Sequence, residues 1–340
     1  MTSRQTEIRT FVAATDWAQA TTAPLAGDAS LRKYLRLGPN PAGTCAVVMD
    51  ADPALGNDVR PFVQITDHLR SIGLSAPEIF ARDTEKGLLL IEDLGDDLFA
   101  RVVVGQPDLE KDLYVAAADA LRHLHDHPHP ALDLYDTDLM TRMAALSYDW
   151  YLAGALEAKP TAVSAFKTAF SVLLETEVAA PTVLIQRDYH AENLLWLPDR
   201  DGIARVGLLD YQDALLGHPA YDLVSLLKDA RRDVSPDLEE AILTHFITIS
   251  GAEPTAFRRA YHVLGLQRNL RILGVFARLS MHFGKPDYVD LIPRVWGYVM
   301  RDLGTDVCQP VADLIRRDLP APTPSLLQRL KDKCGTVPTL

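Results

Sequence analysis

The stretch that decides the fold is Gln186-Arg187-Asp188-Tyr189-His190-Ala191-Glu192-Asn193, followed downstream by Gly207-Leu208-Leu209-Asp210-Tyr211. Asn193 lies five residues after Asp188, and Asp210 closes a hydrophobic run seventeen residues after Asn193. ATP-dependent phosphoryl transfer uses such a set. One carboxylate orients or deprotonates the attacking hydroxyl, while an Asn and a second Asp hold the metal ions that neutralise the phosphates. The spacing therefore predicts a catalytic loop.

A predicted hairpin gives these three residues a geometry. Two short apolar runs flank the dipeptide Asp201-Gly202, and Asp-Gly is a strong hairpin-turn signal. Folding about it brings Asn193 and Asp210 side by side at the open end, with Cβ atoms roughly 5 Å apart, close enough to share one Mg²⁺. Asp188 is expected at the same end. The competing interpretation is that these side chains are ordinary polar turn residues.

Composition limits the class of protein. The chain has 340 residues, of which 48% are hydrophobic, enough for two packed lobes. A net charge of −12 argues against a nucleic-acid partner or an anionic membrane surface. Cys45, Cys308 and Cys334 are odd in number and widely separated, which is typical of a reduced protein without a zinc motif. With no membrane-spanning stretch and no signal-peptide core, the sequence predicts a cytoplasmic protein.

The order of predicted elements indicates an α+β fold with two unequal lobes. The first lobe, 1–94, is predicted to bind nucleotide. The sequence of this lobe predicts a strand hairpin at 31–37 and 44–49, an amphipathic helix at 59–72 and a buried strand at 87–91. The second lobe, 95–340, is predicted to carry the catalytic loop and the substrate-binding helices, at about 108–127, 137–156, 160–178, 221–231, 236–250, 253–282 and 287–303.

The same motifs, in the same order, resemble a known family. Three further segments extend the match beyond Asp188-x4-Asn193 and Asp210: Leu121-Arg122-His123-Leu124-His125, Leu90-Ile91-Glu92-Asp93-Leu94-Gly95, and Gly217-His218-Pro219-Ala220-Tyr221-Asp222-Leu223. The chain resembles the aminoglycoside phosphotransferase-like group, which has a protein-kinase-like fold. Within that group it is similar to the bacterial anomeric N-acetylmuramate/N-acetylglucosamine kinases. The fold expected from the resemblance is bilobal, with a small antiparallel-sheet N-lobe and a large, mainly helical C-lobe.

The resemblance implies roles for individual residues, and ATP and Mg²⁺ as cofactors. Asp188 is the catalytic base or orienting carboxylate, and Asn193 and Asp210 are metal ligands. Asp222 braces the catalytic loop, although a helix N-cap would also explain it. The hinge backbone from Glu92 to Leu94 binds adenine, while the Glu92 side chain is either functional or simply solvated.

The phosphate-binding end departs from the family pattern. No Lys occurs between Lys33 and Lys86, and no Glu between Glu7 and Glu78, so the usual Lys–Glu pair of kinases cannot form. Phosphate contacts are therefore expected from backbone N–H groups and one basic residue. The backbone groups are those of Gly27, Asp28, Ala29 and Ser30. Arg32 is the first choice for the basic residue, ahead of Lys33 and Arg36; a solvated strand face is the alternative.

The acceptor site is less sharply marked. Arg268 and Arg271 are i, i+3 neighbours on a predicted helix and would form a cationic patch for an acidic sugar. Trp150 would stack on a sugar ring, but an aromatic residue on such a helix is more often part of the core. Asp213 is a further candidate for a substrate hydroxyl or amine. The amino-sugar kinases carry a Glu shortly before the Trp, and this chain has none there.

These observations predict an ATP- and Mg²⁺-dependent small-molecule kinase that phosphorylates a sugar hydroxyl, the anomeric hydroxyl of an N-acetylated amino sugar in the preferred interpretation. A kinase of a cationic amine, such as an aminoglycoside, choline or an amino alcohol, is one alternative. A non-catalytic nucleotide-binding homologue is the other, motivated by the absent Lys–Glu pair. The expected partner is a small-molecule sugar, with no nucleic acid and no membrane. The sequence makes no prediction of the oligomeric state.

Overall fold

The computed structural model describes residues 3–25, 32–156, 163–178, 180 and 182–338. Its strands are β1 (Thr22–Leu25), β2 (Lys33–Leu37), β3 (Ala46–Asp50), β4 (Ile79–Asp83), β5 (Leu88–Glu92), β6 (Val183–Ile185), β7 (Leu194–Trp196), β8 (Val206–Leu208) and β9 (Leu215–Gly217). Its helices are α1 (Ser3–Ala13), α2 (Arg60–Ser71), α3 (Phe99–Gly105), α4 (Glu110–His125), α5 (Thr137–Leu146), α6 (Ala153–Ala155), α7 (Val163–Glu177), α8 (Ala220–Leu227), α9 (Pro236–Ser250), α10 (Pro254–Met281), α11 (Ile292–Asp302), α12 (Gln309–Asp318) and α13 (Pro324–Asp332).

The chain forms two compact units. The first comprises 1–131 and 191–214, and the second comprises 132–190 and 215–340. Residues 95–131, which the sequence assigned to the second lobe, are therefore grouped with the first unit. The functional division into lobes at Leu94 stays a prediction.

A five-stranded antiparallel sheet organises the first unit. Its strand order is β1-β2-β3-β5-β4. The neighbouring interior strands β3 and β5 are almost entirely buried because both carry runs of apolar residues. Trp17, Val48 and Leu90 share one core cluster, against which Phe11 of α1 packs. The predicted strands at 31–37, 44–49 and 87–91 are confirmed to within two residues, whereas β1 and β4 were not predicted.

Helix α2 lies within the predicted range of 59–72 and presents its apolar face to the first unit. Phe62, Ile65 and Leu69 are each at most 4% exposed, as expected for apolar residues at helical spacing. The chain leaves the helix through Gly73, which has a φ of 84°, a left-handed conformation that glycine adopts without steric cost.

Helix α10 is the longest helix of the second unit. It packs against α5, α8 and α11, and most of its residues are buried all round, which is the pattern of a core helix. A Cβ atom on Gly274 would lie 2.2 Å from the carbonyl oxygen of Leu146 at the end of α5. Only glycine allows the two helices to approach this closely.

The remaining helix predictions were only partly correct in their bounds. The predicted helix at 221–231 ends at Leu227, and the one at 287–303 begins as a 3₁₀ turn at Pro286–Leu291. Residues 160–162 of the predicted helix at 160–178 lie outside the described residues. The predicted helix at 137–156 is interrupted by a π-helical turn at Ser147–Leu152. Helices α1, α3, α12 and α13 were not predicted. Among the residues that the structure describes, no helix has both the length and the apolarity needed to cross a bilayer.

Candidate active site

The loop that follows β6 is held by a buried carboxylate. Asp222, in the first turn of α8, is completely buried. It accepts hydrogen bonds from the backbone N–H of Gln186 at 2.6 Å and from that of Arg187 at 2.8 Å. Arg187 has a φ of 72°, an uncommon conformation for a non-glycine residue that persists only where its surroundings enforce it. Asp222 therefore braces the loop one residue before Asp188.

The contacts of Asp222 distinguish bracing from helix capping. Helix α8 has Pro219 at its N-cap position, and Asp222 lies three residues further on. Burial raises the pKa of Asp222 to about 7, and the two backbone N–H donors oppose that rise by favouring the carboxylate. The Ser225 hydroxyl adds a bond to the Arg187 carbonyl oxygen at 3.3 Å.

Asp188 itself is half-buried and lies in a strongly cationic environment. Burial acts to raise its pKa, but Arg271, Arg268, His190 and Arg187 outweigh burial and hold the pKa below its usual value of 3.8. Asp188 is therefore a carboxylate over the whole neutral range. Such a group accepts a hydrogen bond from an attacking hydroxyl and orients it, while remaining a weak base.

Two arginines of α10 supply most of this positive field. Arg268 is 3% exposed, whereas Arg271 is half-buried. Both interact electrostatically with Asp188 and with Tyr221. Asp188, Tyr221, Arg268 and Arg271 are called the Asp188 cluster below, and all four belong to the second unit.

A buried polar network supports the cluster from behind. Tyr221 is hydrogen-bonded to Arg271, and its hydroxyl donates to the Tyr135 hydroxyl at 3.4 Å. Gln267 Nε2 donates to that same Tyr135 oxygen at 3.0 Å and to the Met140 carbonyl at 2.9 Å. The orientation of Arg271 is thus set by side chains from three parts of the second unit.

A buried histidine, His190, lies close to Asp188. His190 is 6% exposed, and burial lowers its pKa to about 4 although Asp229 and Asp188 pull the other way. Arg231 lies 3.4 Å from its Nε2 atom. The sequence did not single out His190, Asp229 or Arg231, because no local motif marks residues that meet only through tertiary packing.

The predicted hairpin of the first unit is present with a different register. Strand β7 pairs with β8 so that Leu194 faces Leu208, and the Leu209 N–H donates to the Asn193 carbonyl at 3.0 Å. Asn193 is therefore opposite Leu209, and Asp210 is one residue further along. The expected two-residue turn at Asp201-Gly202 was wrong, because a 3₁₀ turn at Gly202–Arg205 closes the hairpin.

Asp210 is exposed and sits between anchored neighbours. Its own φ is 57°. The next residue, Tyr211, stacks on Phe62 of α2 at 5.1 Å and is hydrogen-bonded to Thr66 at 2.6 Å. Gln212 Nε2 donates to Asp210 Oδ1 at 2.8 Å. The backbone is thus fixed while the carboxylate faces solvent.

The oxygen atoms of Asn193 and Asp210 fit a hard divalent cation. Mg²⁺ is bound in proteins by carboxylate and carbonyl oxygens and keeps several waters. One carboxylate at an exposed hairpin end, with a carboxamide on the facing strand, matches that donor preference and leaves room for water.

Arg32 also lies in the surroundings of Asp210. It is hydrogen-bonded to the Tyr34 hydroxyl, and burial, together with the nearby Asp210 charge, raises the pKa of Tyr34. Arg36, by contrast, is engaged by Asp93 at 2.7 Å and by Asp96 at 2.8 Å. Of Arg32 and Arg36, Arg32 thus stays the candidate for phosphate binding.

In the hinge segment the structure does not support the alternative of a simply solvated Glu92 side chain. That carboxylate is paired with Arg200 and lies 3.8 Å from Arg70, and the Glu92 N–H donates to the Glu78 carbonyl at 2.8 Å. This N–H is therefore not the donor for adenine. Leu94 stays the predicted hinge contact.

The remaining predicted site residues have separate outcomes. Gly27, Asp28, Ala29 and Ser30 lie outside the described residues. Trp150 is 4% exposed within the π-helical turn, which favours the alternative that it belongs to the core. Asp213 is exposed in the segment after β8, and its role in substrate binding stays a prediction.

An antiparallel sheet followed by a braced Asp loop and an Asn/Asp hairpin is the arrangement of protein-kinase-like phosphotransferases. The comparison with solved structures agrees. The aminoglycoside phosphotransferase APH(2")-IIa, in a complex with gentamicin, superposes with a TM-score of 0.60 at 11% identity, over 91% of this chain and 99% of that one. The predicted α+β, protein-kinase-like fold is confirmed.

Family membership follows from the sequence comparisons. Residues 21–260 match the model of the Phosphotransferase enzyme family, and the chain belongs to that family. An N-acetylmuramate/N-acetylglucosamine kinase from Caulobacter vibrioides is 39% identical, with 88% of this chain and 90% of the relative covered. A relative of the same name from Pseudomonas putida is 34% identical, with 82% of each covered. The predicted resemblance is confirmed, and the chain is a phosphotransferase.

Proposed function

We propose that the protein is an ATP- and Mg²⁺-dependent kinase that transfers the γ-phosphoryl group to the anomeric hydroxyl of an N-acetylated amino sugar. The names of the two relatives support an amino sugar as the acceptor. The observation that carries the proposal is the cationic surroundings of Asp188, which suit a neutral or acidic acceptor.

Asp188 orients the acceptor hydroxyl and accepts its proton as the new O–P bond forms and the bond between the γ-phosphorus of ATP and its bridging oxygen breaks, which releases ADP. Neighbouring arginines hold the pKa of Asp188 below its usual value, so it is a weak base, and a comparatively acidic hydroxyl transfers its proton to it most readily. The anomeric hydroxyl of a reducing sugar is more acidic than the other ring hydroxyls, since the ring oxygen withdraws electron density from C1. The electrostatics of Asp188 therefore favour phosphorylation at C1.

Asn193 and Asp210 would hold Mg²⁺ in this proposal, and the ion would supply the positive charge that neutralises the phosphates. Arg32 contributes the positive charge that other kinases of this fold take from the Lys of a Lys–Glu pair, and the Leu94 backbone binds adenine.

The cationic-amine alternative conflicts with the Asp188 cluster. Arg268 and Arg271 both act on Asp188, so an aminoglycoside or choline would have to place its positive charge near two guanidinium groups. Like charges held this closely are costly to binding. A non-catalytic role is less well supported still, because the chain retains Asp188, Asn193 and Asp210 and also braces the loop through Asp222.

A coupled ADP-release screen tests the proposal. The acceptors are N-acetylglucosamine, N-acetylmuramate, glucose, an aminoglycoside and choline, each with ATP and Mg²⁺. Turnover is expected with the two N-acetylated sugars. Phosphorus–proton coupling to the anomeric proton of the product, measured by NMR, identifies the phosphorylated position. A response limited to cationic amines would overturn the substrate class, and a 6-phosphate product would overturn the position.

A further inference from the structure

We propose that Arg271, backed by Arg268, binds the carboxylate of an acidic amino sugar and so sets the preference of the enzyme for N-acetylmuramate over N-acetylglucosamine. The two sugars differ by a lactyl ether that carries the carboxylate. This inference rests on the proposed function and assigns to these residues the discrimination between its two candidate acceptors.

The two arginines share one face of α10. Residues three apart on a helix are neighbours with Cβ atoms about 5–6 Å apart. Both guanidinium groups act on the charge of Asp188, the group that is proposed to hold the reacting hydroxyl. An anionic substituent elsewhere on the same sugar ring is therefore within reach of this face when the hydroxyl is at Asp188.

Arg268 points to a ligand because its hydrogen bonding is incomplete. It is 3% exposed, and its Nε and Nη1 atoms have no hydrogen-bond partner within the described part of the chain. A buried polar group without a partner destabilises the fold and needs an explanation. Burial also lowers the pKa of Arg268, as expected for a cation that is poorly compensated. An arriving anion would supply the missing charge.

Arg271 is the arginine that a ligand reaches directly. It is half-buried rather than enclosed, and its guanidinium matches the planar, two-point geometry of a carboxylate. Its hydrogen bond to Tyr221, together with the contacts of Tyr221 to Tyr135 and of Tyr135 to Gln267, orients it before the ligand arrives. Preorganisation of this kind reduces the entropy lost on binding.

A different anion, the transferring phosphoryl group, would also interact with these arginines. The two ligands predict different kinetics. A contact to the substrate carboxylate affects one sugar and appears in KM. A contact to the phosphoryl group affects both sugars alike and appears in kcat.

The test compares Arg271→Gln with Arg271→Lys and with the control Arg278→Gln. Arg278 lies two turns further along α10 and is half-buried. Its pKa is affected by burial and by the charge of Arg271 but not by that of Asp188. Each variant is assayed with N-acetylmuramate, its neutral methyl ester and N-acetylglucosamine. Thermal unfolding of each variant checks that it is folded.

Arg271→Gln is expected to raise KM for N-acetylmuramate about 10- to 100-fold, the effect of losing a charge-assisted hydrogen-bond pair. KM for N-acetylglucosamine and for the methyl ester should change less than about threefold because neither ligand carries the carboxylate, whereas any change in kcat that arises through Asp188 should be shared by all three acceptors. Arg271→Lys should lie between wild type and Arg271→Gln because it keeps the charge but loses the fork. Arg278→Gln should leave the ratio between the two sugars unchanged.

An equal rise in KM for both sugars, or a wild-type enzyme that uses the ester as well as the acid, would overturn the inference while leaving the proposed function intact. If wild type phosphorylates neither sugar, the proposed function itself fails. The two failures are therefore distinguishable in one set of assays.

Discussion

Two segments of the molecule each contain a non-glycine residue in the left-handed region: the catalytic loop at Arg187, with a φ of 72°, and the hairpin end at Asp210, with a φ of 57°. The loop is braced by the buried Asp222, and Asp188 beyond it has its charge state set by neighbouring arginines. At the hairpin the backbone is anchored through Tyr211, but the Asp210 carboxylate is exposed.

The difference teaches how the two halves of the proposed chemistry are prepared. The charge state of Asp188, the group proposed to orient the acceptor, is set by protein charges before any ligand binds, which is the preorganisation that electrostatic catalysis requires. The proposed metal ligand keeps its carboxylate in solvent, where a hydrated ion can reach it. The loop around Asp188 is built for a fixed geometry, and the hairpin end at Asp210 is built for the exchange of a bound ion with solvent.

The largest expected effects on activity distinguish the proposed base, Asp188, from the proposed metal ligand, Asp210. Asp188→Asn should lower kcat by about 10³-fold at any Mg²⁺ concentration, since a general base contributes about 10²- to 10⁴-fold. Asp210→Asn should instead raise the Mg²⁺ concentration required for half-maximal rate. ADP release measured across a Mg²⁺ titration gives both quantities. Rescue of Asp188→Asn by excess Mg²⁺ would contradict the assignment.

A matched pair of alanine variants compares the two supports directly. Asp222→Ala leaves two backbone N–H groups of the loop without their acceptor, and it should lower the free energy of unfolding by about 3 kcal/mol, at about 1–3 kcal/mol for each buried unsatisfied donor. Gln212→Ala removes a hydrogen bond to the exposed Asp210 and should cost less than about 0.5 kcal/mol. Urea denaturation at pH 7 measures both. Equal losses would remove the distinction between the segments.

The pH dependence of the free energy of unfolding tests whether His190 is buried in its neutral form. His190 has a pKa of about 4 in the folded protein, against about 6.5 when unfolded. Because only the unfolded state binds this proton between those values, the free energy of unfolding should fall by up to about 3 kcal/mol as the pH drops from 6.5 to 4.

The titration of Asp222 changes the free energy of unfolding in the opposite direction over about the same pH range. Its pKa is raised to about 7, so its stabilising contribution is present at acidic pH and is lost as the pH rises through 7. The difference between wild type and His190→Asn therefore isolates the histidine. A difference that stays constant from pH 4 to pH 7 would show that His190 is not buried in its neutral form.

The sequence predicted the elements whose signals are local. Helix α10 was placed at 253–282 and spans Pro254–Met281, because a capping Glu253 precedes a long apolar pattern. Helix α1 escaped prediction because it has no clear apolar face and no buried residue. The hairpin was recognised from its apolar runs, but its register depended on a 3₁₀ turn that Asp-Gly does not specify.

The site residues likewise divide into those that a local sequence pattern marks and those that only tertiary packing brings together. Asp188, Asn193 and Asp210 could be singled out because their spacing reflects a chemical requirement. The pairing of Arg36 with Asp93 and Asp96 and the burial of His190 beside Asp229 could not, because each joins residues that are distant in sequence. The predicted importance of Arg268 and Arg271 came from helical periodicity alone, and their relation to Asp188 required the fold.

The close packing of α10 has a consequence for engineering. A Cβ atom on Gly265 would lie 2.3 Å from Lys228 Nζ and 2.6 Å from Asp302 Oδ2, which form a buried ion pair 2.6 Å long, so any side chain at position 265 would have to displace that pair. If Arg268 and Arg271 read the acceptor as proposed, a mutant library aimed at acceptor preference should vary these two positions and keep Gly265 and Gly274, where any side chain would collide with packed neighbours.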